Sequence, residues 1–549
     1  MTMRRFAGVL LGAVAVMAVL AGPASAHAIL RATTPADSEN LDAPPATVRL
    51  EFNEPVSTSA GGIRVFNDQG TRVDAGDAET PTDSLESVEV RLQPELSEGT
   101  YVVSWRALSA DAHPVHGAFV FNVGQASADD EVVSQILKGS SDTGLQTAAT
   151  LLRFLQYASA LLAAGGVAFL LLVHDRNDTE RANLTRTVVR AGVAAAVLTL
   201  IGIAVQASLV TGLGLAGAFN GASLADVMAS TYGVSSIVLL AGAGLLLAGV
   251  RRLKDRPAVV LAAVGATVVI VSFAITGHTA TSTPRLLVVV SDIAHTVAAA
   301  TWFGGLVLLL LCLRQRRAAD DPVGGGEMVS RFSTLATRSV VVVAAAGFSL
   351  SWAEVRATRA LFTTGYGVTL LVKVALVGAV LLIGAYNKRR LVPAIRQAQG
   401  LAWSKLRTMV LFEVTGLILV VAVTAVLVNL IPARDAAGIT GPLSVRSELG
   451  PEHLVDITIE PNRVGANEMH IYLFTAQGRT AEAKEVTVGL TMPGNSIGPI
   501  EREPTPTGPG HWTVTDADFP IAGRWIVTVT ATTSRFDQAT AEIPIDVGG

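Results

Sequence analysis

The stretch that decides the fold runs from residue 277 to residue 305 and reads GHTATSTPRLLVVVSDIAHTVAAATWFGG. Its second half is an apolar run long enough to cross a bilayer, yet it carries Asp292 and His295. Ionisable side chains are costly in lipid unless they face protein or water, so the run reads as a membrane helix with a functional face. Asp292 and His295 are three residues apart and share a side of that helix, and Trp302 lies two turns further along it. His278 closes the preceding apolar run, and the short loop between the runs can bring it over the same face. The plain structural alternative is an interfacial His278 and a satisfied intrahelical pair of Asp292 with His295.

Composition supports a membrane protein. The chain has 549 residues, of which 50% are hydrophobic and 16% charged, too long for one core and too apolar for an ordinary soluble chain. The net charge is −4 and no long basic block appears, which argues against a nucleic-acid partner. The single cysteine, Cys312, excludes an intramolecular disulfide and a cysteine-rich zinc cluster. A metal must therefore be held by His, Asp, Met or the amino terminus.

Outward from the opening stretch, apolar runs of spanning length recur near 150–173, 189–211, 235–250, 257–276, 286–313, 339–353, 367–387 and 408–431, which predicts eight spans, the third and sixth being short. Arg176, Arg181, Arg186 and Arg190 follow the first, and Arg251, Arg252, Lys254 and Arg256 the third. Arg314, Arg316 and Arg317 follow the fifth, and Lys388, Arg389 and Arg390 the seventh. The intervening loops carry few cations, so odd-numbered spans run inward and both chain ends lie outside. Asp292 and His295 then fall roughly 9–14 Å below the outer surface. Arg153, Gln156 and Tyr157 mark the entrance of the first span; Lys373 is expected to snorkel outward and Glu413 inward. Met228 and Met328 read as loop residues.

Residues 1–26 combine Arg4 and Arg5, an apolar run from Phe6 to Leu20 and Ala24-Ser25-Ala26, the layout of a secretory signal peptide. Cleavage there leaves His27 as the first residue, whose α-amino and imidazole nitrogens together suit Cu(II). From 27 to 124 short alternating segments such as TVRLEF, SVEVRL and TYVVSW predict a small β-sandwich or barrel. Before its last strand lie Asp111, His113 and His116. Residues 125–149 read as a polar linker. After Pro432 the segments HLVDITIE, MHIYLF, EVTVGL, HWTVT and RWIVTVTA predict a second sandwich of about seven strands, residues 440–549. There Met469, His470, Met492 and His511 are candidates for a soft metal site, although neighbours on a strand point to opposite faces.

The segments HAILRATTPAD, 27–37, and RALSADAHPVHGAFVFNV, 106–123, resemble the CopC family of periplasmic copper-binding proteins. That resemblance implies a Greek-key β-barrel holding Cu(II) through the amine and imidazole of His27, with Asp111 and His113 completing the site and His116 an optional ligand. The methionine-rich loop of some members has no counterpart, since no methionine occurs between His27 and Gly124. The membrane block resembles the CopD copper-resistance proteins through GHTA, DIAHTVAAATWFGGL, TTGYGVTLLVKVALV and GAYNKRR, which implies copper movement across the membrane with His278 and His295 as the matching imidazoles. The last domain resembles YtkA-like domains through NRVGANEMHIYLF and GRWIVTV.

The fold expected is thus a CopC-like β domain, a bundle of about eight transmembrane helices and a C-terminal β-sandwich in the cytoplasmic membrane, both soluble domains outside. The function expected is copper transport, homeostasis or resistance without catalysis, copper passing from the outer domain, where it is held as Cu(II), to His278, then to His295 and Asp292, with Cu(I) as the alternative ion inside the membrane because a path through the bilayer favours the lower charge. Copper ions, the bilayer and an extracytoplasmic copper donor are the partners. Two rivals use the same residues: a copper oxygenase built on His27, and an electron carrier with haem between His278 and His295.

Overall fold

The computed structural model describes residues 28–547 except 29, 38, 53, 59–60, 82–83, 95, 110–113, 125–142, 175–177, 212–213, 278–283, 319–321, 397–399, 437–442, 461, 476–479, 494–496, 509 and 534–536. His27, Asp111, His113 and His278 therefore lie outside the described residues, as does the leader.

The N-terminal β region has two sheets. One orders β1 (Leu30–Thr34), β3 (Thr47–Phe52) and β6 (Ser87–Arg91) as β1-β3-β6. The other orders β2 (Glu39–Leu41), β8 (Pro114–Val123), β7 (Gly99–Ser109) and β4 (Val56–Ser57), with β5 (Ile63–Phe66) also paired to β7. Alternation explains the core: Val48, Leu50 and Phe52 of β3 turn inward and are buried, because successive strand residues point to opposite faces. Phe52 meets Trp105 edge-on at 5.3 Å and Tyr101 stacks on Phe121. β2 runs parallel to the far end of β8, Glu39 opposite Phe121.

The C-terminal region is also two sheets. β9 (Leu443–Leu449), β10 (His453–Glu460), β11 (Glu468–Thr475), β14 (Thr505–Gly508) and β15 (His511–Val514) form one, in the order β14-β15-β11-β10-β9. β12 (Glu485–Met492), β13 (Ile497–Arg502), β16 (Gly523–Thr532) and β17 (Gln538–Val547) form the other, in the order β13-β12-β16-β17. These nine strands replace the expected seven. The segments named from the sequence leave out β9, β13, β14 and β17; of these, β13 and β14 lie in a Pro-containing stretch whose residues are largely exposed, so no alternation betrays them. Val455, Ile457, Ile459, Trp525, Val527 and Val529 fill the space between the sheets. Both β regions belong to one compact unit. Within it Thr458 Oγ1 donates to the carbonyl of Asp37 at 3.1 Å, and Ser444 Oγ donates to its carboxylate at 3.1 Å.

The other unit is helical. Among the described residues eight helices are long and apolar enough to cross a membrane: Gly144–Leu172, Glu180–Thr211, Thr231–Val250, Arg256–Ile275, Arg285–Arg316, Gly324–Val355, Gly365–Ile395 and Ala402–Leu427, spans 1 to 8. Span 6 is not short, because its helix begins in a polar turn-rich segment ahead of the apolar run and carries Glu327, Arg331 and Arg338. That extension puts Met328 on a helix and buries it, correcting its reading as a loop residue. Spans 1 and 5 touch backbone to backbone: a Cβ on Gly304 would lie 2.8 Å from the Cα of Gly165. Small residues permit this approach, which drives helix association where no hydrophobic effect operates.

Candidate functional site

His295 is held by a neighbouring helix rather than by its own. Its Nδ1 lies 3.1 Å from the carbonyl oxygen of Val343 in span 6. A carbonyl only accepts, so Nδ1 carries the proton and Nε2 keeps its lone pair, the tautomer that a metal ligand needs. Gly347, one turn beyond Val343, lies beneath the ring: a Cβ there would be 3.2 Å from Cε1 of His295. Nδ1 of His295 is thus tied to a second helix, which the alternative of a purely intrahelical pair with Asp292 did not include.

Around this imidazole the bundle gathers charge. Lys373 of span 7 acts electrostatically on both His295 and Asp292, and Asp292 also acts on Tyr157 of span 1. Lys373 is therefore within electrostatic range of the span 5 carboxylate and imidazole. Ser291 Oγ donates to Ser349 Oγ of span 6 at 3.1 Å, a second tie beside the site. Trp302, by contrast, is buried in the apolar core of the bundle. Glu413 does not snorkel: it is buried and accepts from Asn387 Nδ2 at 2.7 Å.

In the N-terminal β region only His116 of the expected ligands falls on a described residue. It faces Arg106 across the β7–β8 ladder, and because Val115 beside it points into the core, His116 points away. Burial, with Arg106 adding to it, lowers its pKa below the usual imidazole value, so it is neutral at physiological pH and able to donate a lone pair. The following residue must be glycine here, since a Cβ at Gly117 would lie 2.6 Å from the Trp105 ring.

Two further groupings are assembled by the fold, the first from residues that the sequence did not single out as a site and the second from part of the set Met469, His470, Met492 and His511. At the end of the bundle where spans 1, 2 and 5 meet, Glu180 binds Arg316 at 2.8 Å and stands 3.3 Å from His174 Nε2, all three buried. Arg316 had counted only as a loop cation, and a salt bridge spanning 136 residues leaves no local signal. In the C-terminal β region His470 Nδ1 lies 3.1 Å from His511 Nε2, whereas Met469 and Met492 turn into the core. The expected soft site with both methionines is therefore not assembled.

Comparison with known proteins places these features. The chain matches the CopC domain over residues 30–124, the copper resistance protein D-like N-terminal domain over 144–284 and copper resistance protein D over 326–427. It is 31% identical over 105 residues to copper resistance protein C of Xanthomonas campestris pv. juglandis, covering 82% of that protein and 18% of this chain. The chain is a CopC–CopD fusion of the copper-resistance family. A longer relative of the fusion is copper transport protein CutJ of Bacillus subtilis (strain 168), 28% identical over 374 residues, 66% of this chain and 68% of CutJ. Among solved structures, CopC from Methylosinus trichosporium OB3b is 31% identical over 18% of this chain and 93% of its own, with a TM-score of 0.17. In the fusion, His278 belongs to the D-like N-terminal match, while Asp292 and His295 lie in the interval before the second CopD match.

Proposed function

We propose that this CopC–CopD fusion captures Cu(II) outside the membrane and passes copper into its helical bundle, acting as a carrier and not as an enzyme. The capture site is His27, through its amine and imidazole, with Asp111 and His113 and with His116 as an optional fourth donor. The entry route is His278, then His295 and Asp292. The observation that supports the reading is the 3.1 Å contact of His295 Nδ1 with the carbonyl of Val343; with Nδ1 as the donor, Nε2 keeps the lone pair that a metal needs, on the helix that also carries Asp292 three residues earlier. Lys373 balances the Asp292 carboxylate between passages, so that an arriving cation exchanges one partner of that acid for another.

The side is read from the sequence: the secretory leader, the arginine-rich loops after odd spans and the even number of helices all agree with both β regions outside. The residues 440–549 are read as a YtkA-like domain serving the same compartment, and an extracytoplasmic protein as copper donor. Radiocopper uptake by cells expressing the intact chain tests the route. His278→Ala and His295→Ala should each abolish the uptake that the unsubstituted chain adds; unchanged uptake in both rejects it.

A further inference from the structure

The five-stranded C-terminal sheet has a second buried face. Val455, Ile457 and Ile459 of β10 point into the sandwich core, but Asp456, Thr458 and Glu460, on the opposite face, are also buried, with 5%, 0% and 8% of their surface exposed. Residues of the N-terminal β region cover part of it through Asp37. Burying polar groups is unfavourable unless each finds a partner. Among the described residues the hydroxyl of Tyr472 and one carboxyl oxygen of Glu460 are buried without one. Such groups call for a partner from outside the chain, water or a ligand.

On this face stand two imidazoles. His470 Nδ1 and His511 Nε2 are 3.1 Å apart, and the Tyr472 ring stacks on His511 at 4.4 Å. Two ring nitrogens at that separation, each about 2.0 Å from a common metal, subtend about 100°, the angle of neighbouring ligands in a square or tetrahedral set. Of the outward nitrogens one is hydrogen-bonded and the other lies near a carboxylate. His511 Nδ1 meets Thr507 Oγ1 at 3.1 Å, and His470 Nε2 stands 3.9 Å from the Glu468 carboxylate. A ligating histidine characteristically directs its other nitrogen to such a hydroxyl or carboxylate, which orients the ring and raises its basicity. Burial lowers the pKa of both histidines, that of His511 to about 4, so both rings are neutral at neutral pH; one of the two facing nitrogens carries the proton of their hydrogen bond and releases it to solvent when a metal takes its place.

We propose that His470 and His511 form a second copper site, a two-imidazole seat for Cu(II) in the C-terminal β domain. Among the described residues no three His, Cys, Asp or Glu side chains already surround one point, so the seat is completed by oxygen donors. Thr513 Oγ1, 3.3 and 3.4 Å from the two nitrogens, is one, and water is the other. Access is open because the His470 side chain keeps 13% of its surface exposed. Mixed nitrogen and oxygen donors bind Cu(II) ahead of other divalent first-row ions. The seat is separate from the one read at His27. Residues 111–113 precede the start of β8, whereas Glu39, on the acidic side of the new site, pairs with Phe121, about 17 Å from His116 along the strand.

The test uses the full chain in detergent with one extra residue ahead of His27, so that the outer site is closed, titrated with copper sulfate. His470→Gln and His511→Gln should each remove one bound equivalent, together with the part of the electron paramagnetic resonance spectrum split by two nitrogens. Glu468→Gln should weaken that equivalent about tenfold. In the unsubstituted chain, Cu(II) should protect His470 from diethyl pyrocarbonate, read by peptide mass, a measurement that needs no altered fold. Undiminished copper in both glutamine variants, or absence of protection, overturns the proposal. Copper that remains in those variants reports on His27 or the membrane histidines and leaves the two readings distinguishable.

Discussion

Substituting Gly165 by alanine is expected to force spans 1 and 5 apart. A Cβ at this position falls 1.8 Å from the carbonyl oxygen of Ala300 and 2.6 Å from its carbon. A carbon and a carbonyl oxygen rest at about 3.3–3.6 Å, so the helices must separate by about 1.5 Å. A gap of about 0.5–1 Å already forfeits a quarter to a half of the dispersion attraction, and overpacking of this kind costs about 1–3 kcal/mol. At Gly304 the nearest backbone atoms lie at 2.8 and 2.9 Å, so Gly304→Ala needs a smaller displacement and is the milder change. Gly378 in span 7 has nothing within 4 Å. Alanine there should be neutral or stabilise by about 0.5–1 kcal/mol, because helical glycine carries that penalty. Thermal unfolding of the purified full chain in one detergent, followed by far-ultraviolet circular dichroism, should rank Gly165→Ala lowest, then Gly304→Ala, then the parent and Gly378→Ala. The first should fall by roughly 3–10 °C. Since His295 lies nine residues before Gly304 on the same helix, copper uptake should decline in the same order. Gly165→Ala melting with the parent protein refutes the close crossing and the reasoning built on it.

Gly347→Val places carbon atoms where a Cβ alone is already 3.2 Å from the His295 ring; uptake is expected to fall several-fold while the melting temperature changes little, and normal uptake would count against His295 as a ligand held by span 6. Glu460 has a pKa raised by burial first, and by Asp37, Glu468 and Glu39, to about 8. Its protonated form is favoured in the fold, so its contribution is intact below pH 4.5 and is lost as pH rises toward 8, at about 1.4 kcal/mol per pH unit. In metal-stripped protein Glu460→Gln should therefore raise stability at pH 7.5 by about 2–4 kcal/mol and flatten its pH dependence, and an unchanged slope would show that this acid ionises in the fold. An extra residue ahead of His27 should abolish tight Cu(II) binding by the N-terminal domain, as measured by calorimetry; retained affinity would mean that the terminal amine is not a ligand.

The elements legible in the sequence were those whose signal is local. Every predicted span became a helix because apolar runs of that length have one way to satisfy their backbone in lipid. TVRLEF became a strand with Val48, Leu50 and Phe52 inward because its alternation has only one face to bury. The same local reading missed the start of span 6 and strands β13 and β14, where polarity on all sides hides the period.

By itself, then, the sequence determined the order of β region, helices and β region, the candidate copper ligands, and the separation of Asp292 and His295 along one helix. Only the tertiary structure decided their partners. Val343 orients His295, Lys373 comes within electrostatic range of Asp292, Gly165 meets Gly304, and His470 finds His511 across 41 residues. Hydrophobic period is set within a few residues of chain, whereas a hydrogen bond or an ion pair between elements depends on the register and crossing of both, and these are settled only when the elements pack.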